Sequence, residues 1–200
     1  MRYFGPALVL IAITLFQAPT AQAAPITLAA TLSGAAEIPP VVSPGTGQAT
    51  AVLDPDAKTL ELHISFSGLT SNTTAAHIHC CIAAAQPGNF VVATTVPAFP
   101  GFPLDVTSGT YDHTLDLTDP SSYRAGFITA IGGIDNAAAA LIAALESGAN
   151  YLNIHTTEHP SGEIRGTLVP VPEPASVVLL GTALAGLLLA GTIRRARTDA

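Results

Sequence analysis

The chain has no tryptophan, one methionine and two cysteines, and only 10% of its residues are charged. Basic residues are scarcest where a domain would lie. Between Ala24 and Pro170 only Lys58, Arg124 and Arg165 are basic, against twelve acidic residues, and the whole chain carries a formal charge of −7. Such a body has no basic stripe with which to neutralise phosphates, which excludes nucleic acid as a partner. The lack of tryptophan and the 6% aromatic content leave little material for a stacking platform. Two cysteines are too few for a disulfide framework. No phosphate loop, nucleophile elbow, Ser-His-Asp arrangement or paired acid/base carboxylates can be read, so no catalytic residue is assigned.

Long apolar runs occur only at the two ends. Arg2, the apolar residues 7–16 and the small-residue triplet Ala21-Gln22-Ala23 follow the order of a secretory signal peptide, predicted over residues 1–23. At the other end "VPEP" (Val171 to Pro174) precedes an apolar run over residues 175–193 and then Arg194, Arg195 and Arg197. About 20 apolar residues cover a bilayer core, and a following arginine cluster tends to stay cytoplasmic. These features predict a transmembrane helix anchoring an exported body.

The body, residues 24–170, has the size of one domain. Gly and Pro punctuate short runs throughout, the texture of a mostly β protein. In "LELHISFS", Leu60, Leu62, Ile64 and Phe66 alternate with Glu61, His63, Ser65 and Ser67, giving one apolar and one wet face. "TLAATLSG", "GQATAVLD" and "GTYDHTLDL" read the same way. "NYLNIHT" and "EIRGTLV" flank the turn-rich "TEHPSG" and predict a final hairpin, with Glu163 and Arg165 as a modest surface ion pair. Between Pro120 and Ser147 the pattern turns helical. Asp119 caps a first helix with Pro120 at its first position, and Asn136 caps a second that stops at Gly148. The predicted fold is mainly β: an antiparallel β-sandwich with a short helical insertion before the last hairpin.

The chemistry concentrates in "AAHIHCCIAAA". Alternate strand residues share a face, so His77 and His79 point the same way, with Cys81 joining them if the strand continues. Two imidazoles and a thiolate suit copper or zinc. His155, which shares a strand face with Tyr151 and Asn153, is the candidate to arrive from a neighbouring strand. The adjacent pair Cys80-Cys81 fits three arrangements: a vicinal disulfide, one buried thiol plus one ligand, or bridging between molecules. Neighbouring trans-linked Cα atoms lie about 3.8 Å apart, short of the roughly 4.4 Å at which ordinary disulfides begin.

Two longer segments, "SGLTSNTTAAHIHC" and "YLNIHTTEHPSGEIRGTL", resemble the hallmark segments of the CHRD (chordin-type) domain over roughly Ile26 to Val169. The end of the chain resembles the PEP-CTERM sorting signal of Gram-negative bacteria, with Pro172, Glu173 and Pro174 as its motif. The first resemblance implies a β-rich exported domain; the second implies processing by an exosortase-type membrane protease. Together they imply a non-catalytic domain acting in surface or extracellular-matrix interactions, with extracellular polysaccharide or surface proteins as partners. "GLTSNTTAAHIH" is also similar to the copper-binding Gly-Leu…His-x-His strand of Cu/Zn superoxide dismutase. That likeness implies copper ligands at His77 and His79 and redox activity as the alternative function. The bridging histidine, the zinc loop and the usual cysteine spacing of that family are missing here.

The tail reading generates a first prediction. Protein recovered from the cell surface should lack residues 1–23 and 175–200, and intact-mass measurement reads both cuts at once.

Overall fold

The computed structural model describes residues 23–84 and 88–172. The predicted signal peptide, Glu173, Pro174 and the apolar run after them lie outside the described residues, apart from Ala23.

The described residues form nine strands: β1 (Ile26–Ser33), β2 (Thr46–Asp54), β3 (Thr59–Ser67), β4 (Thr73–Ala83), β5 (Phe90–Val92), β6 (Gly109–Asp116), β7 (Asn150–Thr156), β8 (Ile164–Gly166) and β9 (Val169–Pro170). The named strand pairings are all antiparallel. The predicted antiparallel β fold is therefore present. Its strands hydrogen-bond into one sheet, in the order β5-β4-β7-β8-β1-β2-β3-β6, with β9 alongside β1. The sheet curls so that residues from both of its ends share a single hydrophobic core.

Period-two patterning builds one half. In β3 the apolar set Leu60, Leu62, Ile64 and Phe66 is buried, while Glu61, His63, Ser65 and Ser67 are exposed. β1 and β2 supply Leu28, Leu32, Ala49, Ala51 and Leu53 to the same interior. Each fully buried leucine stabilises the fold by about 1.5–3 kcal/mol relative to an exposed one.

The helical insertion lies between β6 and β7. The Asp119 carboxylate accepts from the Ser121 amide and caps a 3-10 turn, Pro120–Ser122. The helices α1 (Ala125–Ile131) and α2 (Ile134–Ser147) follow, and Gly148 ends the second in the left-handed region. Asn136 is not the cap expected from the sequence. The cap is Gly133, three residues earlier, because Gly132 and Gly133, at φ +88° and +124°, turn the chain directly from one helix into the next. Asn136 sits inside the first turn and donates from Nδ2 to the carbonyls of Ile131 and Gly132. Ala137, Ala138, Leu141, Ala144 and Leu145 of α2 then close the core.

All seven residues of β7 are buried, as are the three of the short β8 beside it. Leu152 and Ile154 face the core, so the opposite face, Tyr151, Asn153 and His155, is covered as well. A strand buried on both faces ordinarily reads as a continuous apolar run. Here the second face is polar.

The neighbouring β8 carries a correction. Glu163 and Arg165 are not a surface pair, since both are buried and each has other partners. Glu163 accepts from Ser43 Oγ (2.6 Å), the Thr70 amide (2.8 Å), Thr70 Oγ1 (3.1 Å) and Thr156 Oγ1 (2.7 Å). Burial pushes its pKa up, but these hydrogen bonds outweigh burial and hold it below the ordinary 4.5. Arg165 donates to the Ala36 carbonyl and to Asn89 Oδ1, and its guanidinium lies 4.4 Å from the centre of the Tyr151 ring. The loops that cover both residues come from distant parts of the chain, and strand periodicity does not reveal them.

Glu163 thus pins three segments through its ionised form. A depressed folded-state pKa contributes stability above the unfolded value, and that contribution is lost as pH falls through the folded one. Glu163→Gln should lower neutral-pH stability by about 1–3 kcal/mol by leaving a buried donor unpaired. Its deficit against the wild type should shrink as pH drops below 4.5, as read by melting curves across pH.

A three-histidine candidate metal centre

The polar face of the β4–β7 ladder gathers the candidate site. In the register, His77 opposes Asn153, His79 opposes Tyr151, and Ala75 opposes His155. Side chains opposed across such a ladder share a face with Cβ atoms about 4.5–5.5 Å apart. The imidazoles of His77, His79 and His155 therefore converge, and one ring nitrogen from each lies within 4.8 Å of the others. The His77 ring centre is 4.8 Å from that of His79 and 4.6 Å from that of His155. Exposure is 5% for His77 and 9% for each of the other two.

The hydrogen bonds decide which nitrogens are free. His79 Nδ1 lies 2.7 Å from the Phe90 carbonyl, and His155 Nδ1 lies 2.9 Å from the Pro160 carbonyl. A carbonyl only accepts, so both Nδ1 atoms carry the proton and both Nε2 atoms are left with a lone pair. Those two Nε2 atoms and His77 Nδ1 are buried with no partner. Buried polar atoms are nearly always satisfied, and three orphaned nitrogens in one cluster call for a ligand. Nδ1–H donated to a backbone carbonyl is also the arrangement by which proteins orient metal-binding histidines.

Electrostatics keep the rings neutral. Burial, reinforced by the neighbouring His155, His79 and Arg124, pushes His77 down to about 2. Burial lowers His79 to about 4 and also lowers His155. Neutral imidazole is the form that ligates a metal.

The site is walled by residues that motif reading did not find. Glu37, two residues before Pro39, accepts a hydrogen bond from Asn153 Nδ2 at 3.0 Å and lies 3.8 Å from Arg165 Nε. Burial pushes its carboxyl up to about 6. A cavity of about 240 Å³ beside His79 is lined by Glu37, Asn89, Tyr151, Asn153 and Arg165, among others. Glu37 has no sequence signature, since it comes from an irregular segment. Asn153 was legible only as a polar residue sharing a face with His155.

Cys81 does not join the histidines. Its backbone is left-handed (φ +73°), which breaks the alternation that would have placed it with His77 and His79. Its sulfur is bonded to that of Cys80, which is fully buried in the core. Cys81 Sγ lies 3.3 Å from the Ala140 carbonyl of α2, a close contact rather than a hydrogen bond because the sulfur carries no proton. The remaining histidines lie elsewhere. His63, on the exposed face of β3, pairs with Asp112 and Glu61; His113 is exposed on β6; and His159 sits in the connection after β7.

Comparison with family patterns assigns the body. The CHRD domain matches residues 28–168, most of the chain and both histidine segments. The chain belongs to the CHRD family. A PEP-CTERM protein-sorting motif follows at residues 170–195. This CHRD protein is thus exported, associated with the cell envelope and processed by an exosortase-type protease. No curated protein and no solved structure matches the chain.

The geometry separates the cysteines of this CHRD domain from its histidines. A Cys80→Ala/Cys81→Ala variant should show a lower melting temperature, because Cys80 is a core residue, and the same copper titration as the wild type.

Proposed function

We propose that this exported CHRD domain is a surface metal-binding protein whose three imidazoles hold copper. The observation that carries this reading is that three histidines whose ring nitrogens approach within 4.8 Å of one another each have a buried nitrogen without a partner. Imidazole donors suit both copper and zinc, and for a given nitrogen site Cu(II) stands above Zn(II) in affinity. The carbonyls of Phe90 and Pro160 fix two of the rings, so the ligands need little reorganisation when the ion enters. The ion would supply Lewis-acid or one-electron chemistry; the protein supplies three neutral donors, a polar cavity beside them and exclusion of bulk water. Among the described residues, interaction with matrix polysaccharide or surface proteins has no comparable cluster of groups to support it. Dismutation needs more than a copper ion, and the metal-binding reading does not depend on it.

The test is a titration of untagged exported protein with Cu(II) and with Zn(II). One copper should bind per chain and displace zinc. His77→Ala should weaken copper by more than the roughly 10–100-fold that loss of an outer-shell partner produces. Wild-type protein that shows no saturable copper binding, or a His77→Ala variant that binds as well as the wild type, would sink the reading.

A further inference from the structure

Among the described residues, four side-chain nitrogen or oxygen atoms are buried without a hydrogen-bond partner: His77 Nδ1, His79 Nε2, His155 Nε2 and Asn153 Oδ1. Three belong to the histidine cluster. The fourth lies on the same sheet face, because Asn153 directly opposes His77 across the β4–β7 ladder and stands two residues from His155. Asn153 is 2% exposed and lines the same cavity as His79. We infer that Asn153 Oδ1 is the fourth donor to the ion held by His77, His79 and His155, and that Glu37 aims it. This rests on the copper reading above and extends it from three nitrogens to an N3O donor set.

Which end of the amide faces the histidines follows from chemistry. An ionised carboxylate only accepts, so the Asn153 atom 3.0 Å from Glu37 Oε1 is the Nδ2 donor, and Oδ1 takes the other direction. Glu37 is itself held beside the Arg165 guanidinium. Gly162 presses on the same junction. A Cβ there would collide with Asn153 Nδ2 and stand 2.6 Å from Glu37 Oε1, so only glycine leaves the amide in place. Its φ of +121° independently requires glycine. The Asn153–Glu37 pair is therefore built to a fixed geometry, while the oxygen it presents has no partner among the described residues.

A hard amide oxygen distinguishes the two oxidation states of copper. Cu(II) takes tetragonal nitrogen and oxygen sets, whereas the softer Cu(I) gains little from a carbonyl oxygen. The experiment is titration of the mature exported Asn153→Leu protein with Cu(II) and, under reducing conditions with a competing chelator, with Cu(I). Electron paramagnetic resonance of the Cu(II) form and a melting curve accompany it. Cu(II) affinity should fall roughly tenfold or more, the loss typical of removing a supporting ligand-sphere group. The Cu(II) spectrum should change, and Cu(I) affinity should stay at the wild-type value. Unchanged Cu(II) affinity and spectrum would overturn the assignment while leaving the three-histidine site intact. Parallel losses for both oxidation states would also overturn it, by making Asn153 a purely structural residue. Wild-type protein that takes up no copper overturns the metal reading and this one together. If Asn153→Leu does not fold, Glu37→Gln decides the matter. A glutamine can donate or accept, so the Asn153 amide is free to turn round; Cu(II) affinity should then fall without loss of Cu(I) affinity, and equal Cu(II) binding would refute the role.

Discussion

The site depends on the pairing of β4 with β7 at a single register. His77 must oppose Asn153, because a slip of one residue would turn every side chain of one strand to the other face. A slip of β4 would take Ala76 and Ile78 out of the core and put His77 and His79 into it; a slip of β7 would exchange Leu152 and Ile154 for Asn153 and His155. The register is thus enforced by apolar burial on one side of the ladder, and the polar cluster on the other side is positioned as a by-product of that constraint. The same apolar contacts that stabilise the domain also hold three imidazoles at ligand separation.

That arrangement has an energetic tension. Burying unpaired nitrogens and a carbonyl oxygen costs free energy that the apolar face of the ladder must offset. The carbonyls of Phe90 and Pro160 satisfy half of two rings, and Glu37 satisfies half of the Asn153 amide. What stays unsatisfied is confined to one place. An ion bound there would stabilise the folded state by mass action, so the melting temperature of the domain should follow the free concentration of its metal.

Strands with one wet face were readable in the sequence, because their alternation is imposed by solvent. β1, β2, β3 and β6 all fall where alternation predicts them. That His77 and His79 share a face was readable for the same reason, whereas the nearness of His155 was expected from the two histidine segments belonging to one domain, since strand order could not be read. Three things were not. Cys81 leaves the alternation through a left-handed backbone that no pattern announces. Asn136 looked like a cap because asparagine favours caps, whereas the conformational freedom of Gly132 and Gly133 set the boundary instead. Glu163 and Arg165 looked like a surface pair because charged residues on a terminal hairpin usually are solvated, and the loops that hold them, at Ala36, Ser43, Thr70 and Asn89, are distant in the chain.

The short last strand bears on how the protein is processed. β9 pairs with β1 at Val169 and Pro170, and the Val171 amide still donates to the Thr27 carbonyl at 2.8 Å. Pro172, the first residue of the sorting tripeptide, follows at once. No spacer separates the folded body from the motif, so the protease that reads it must work against the surface of the sheet or first peel two residues from its edge. Fraying of so short a segment needs little free energy. The order in which folding and cutting occur is therefore under the control of an edge two residues long.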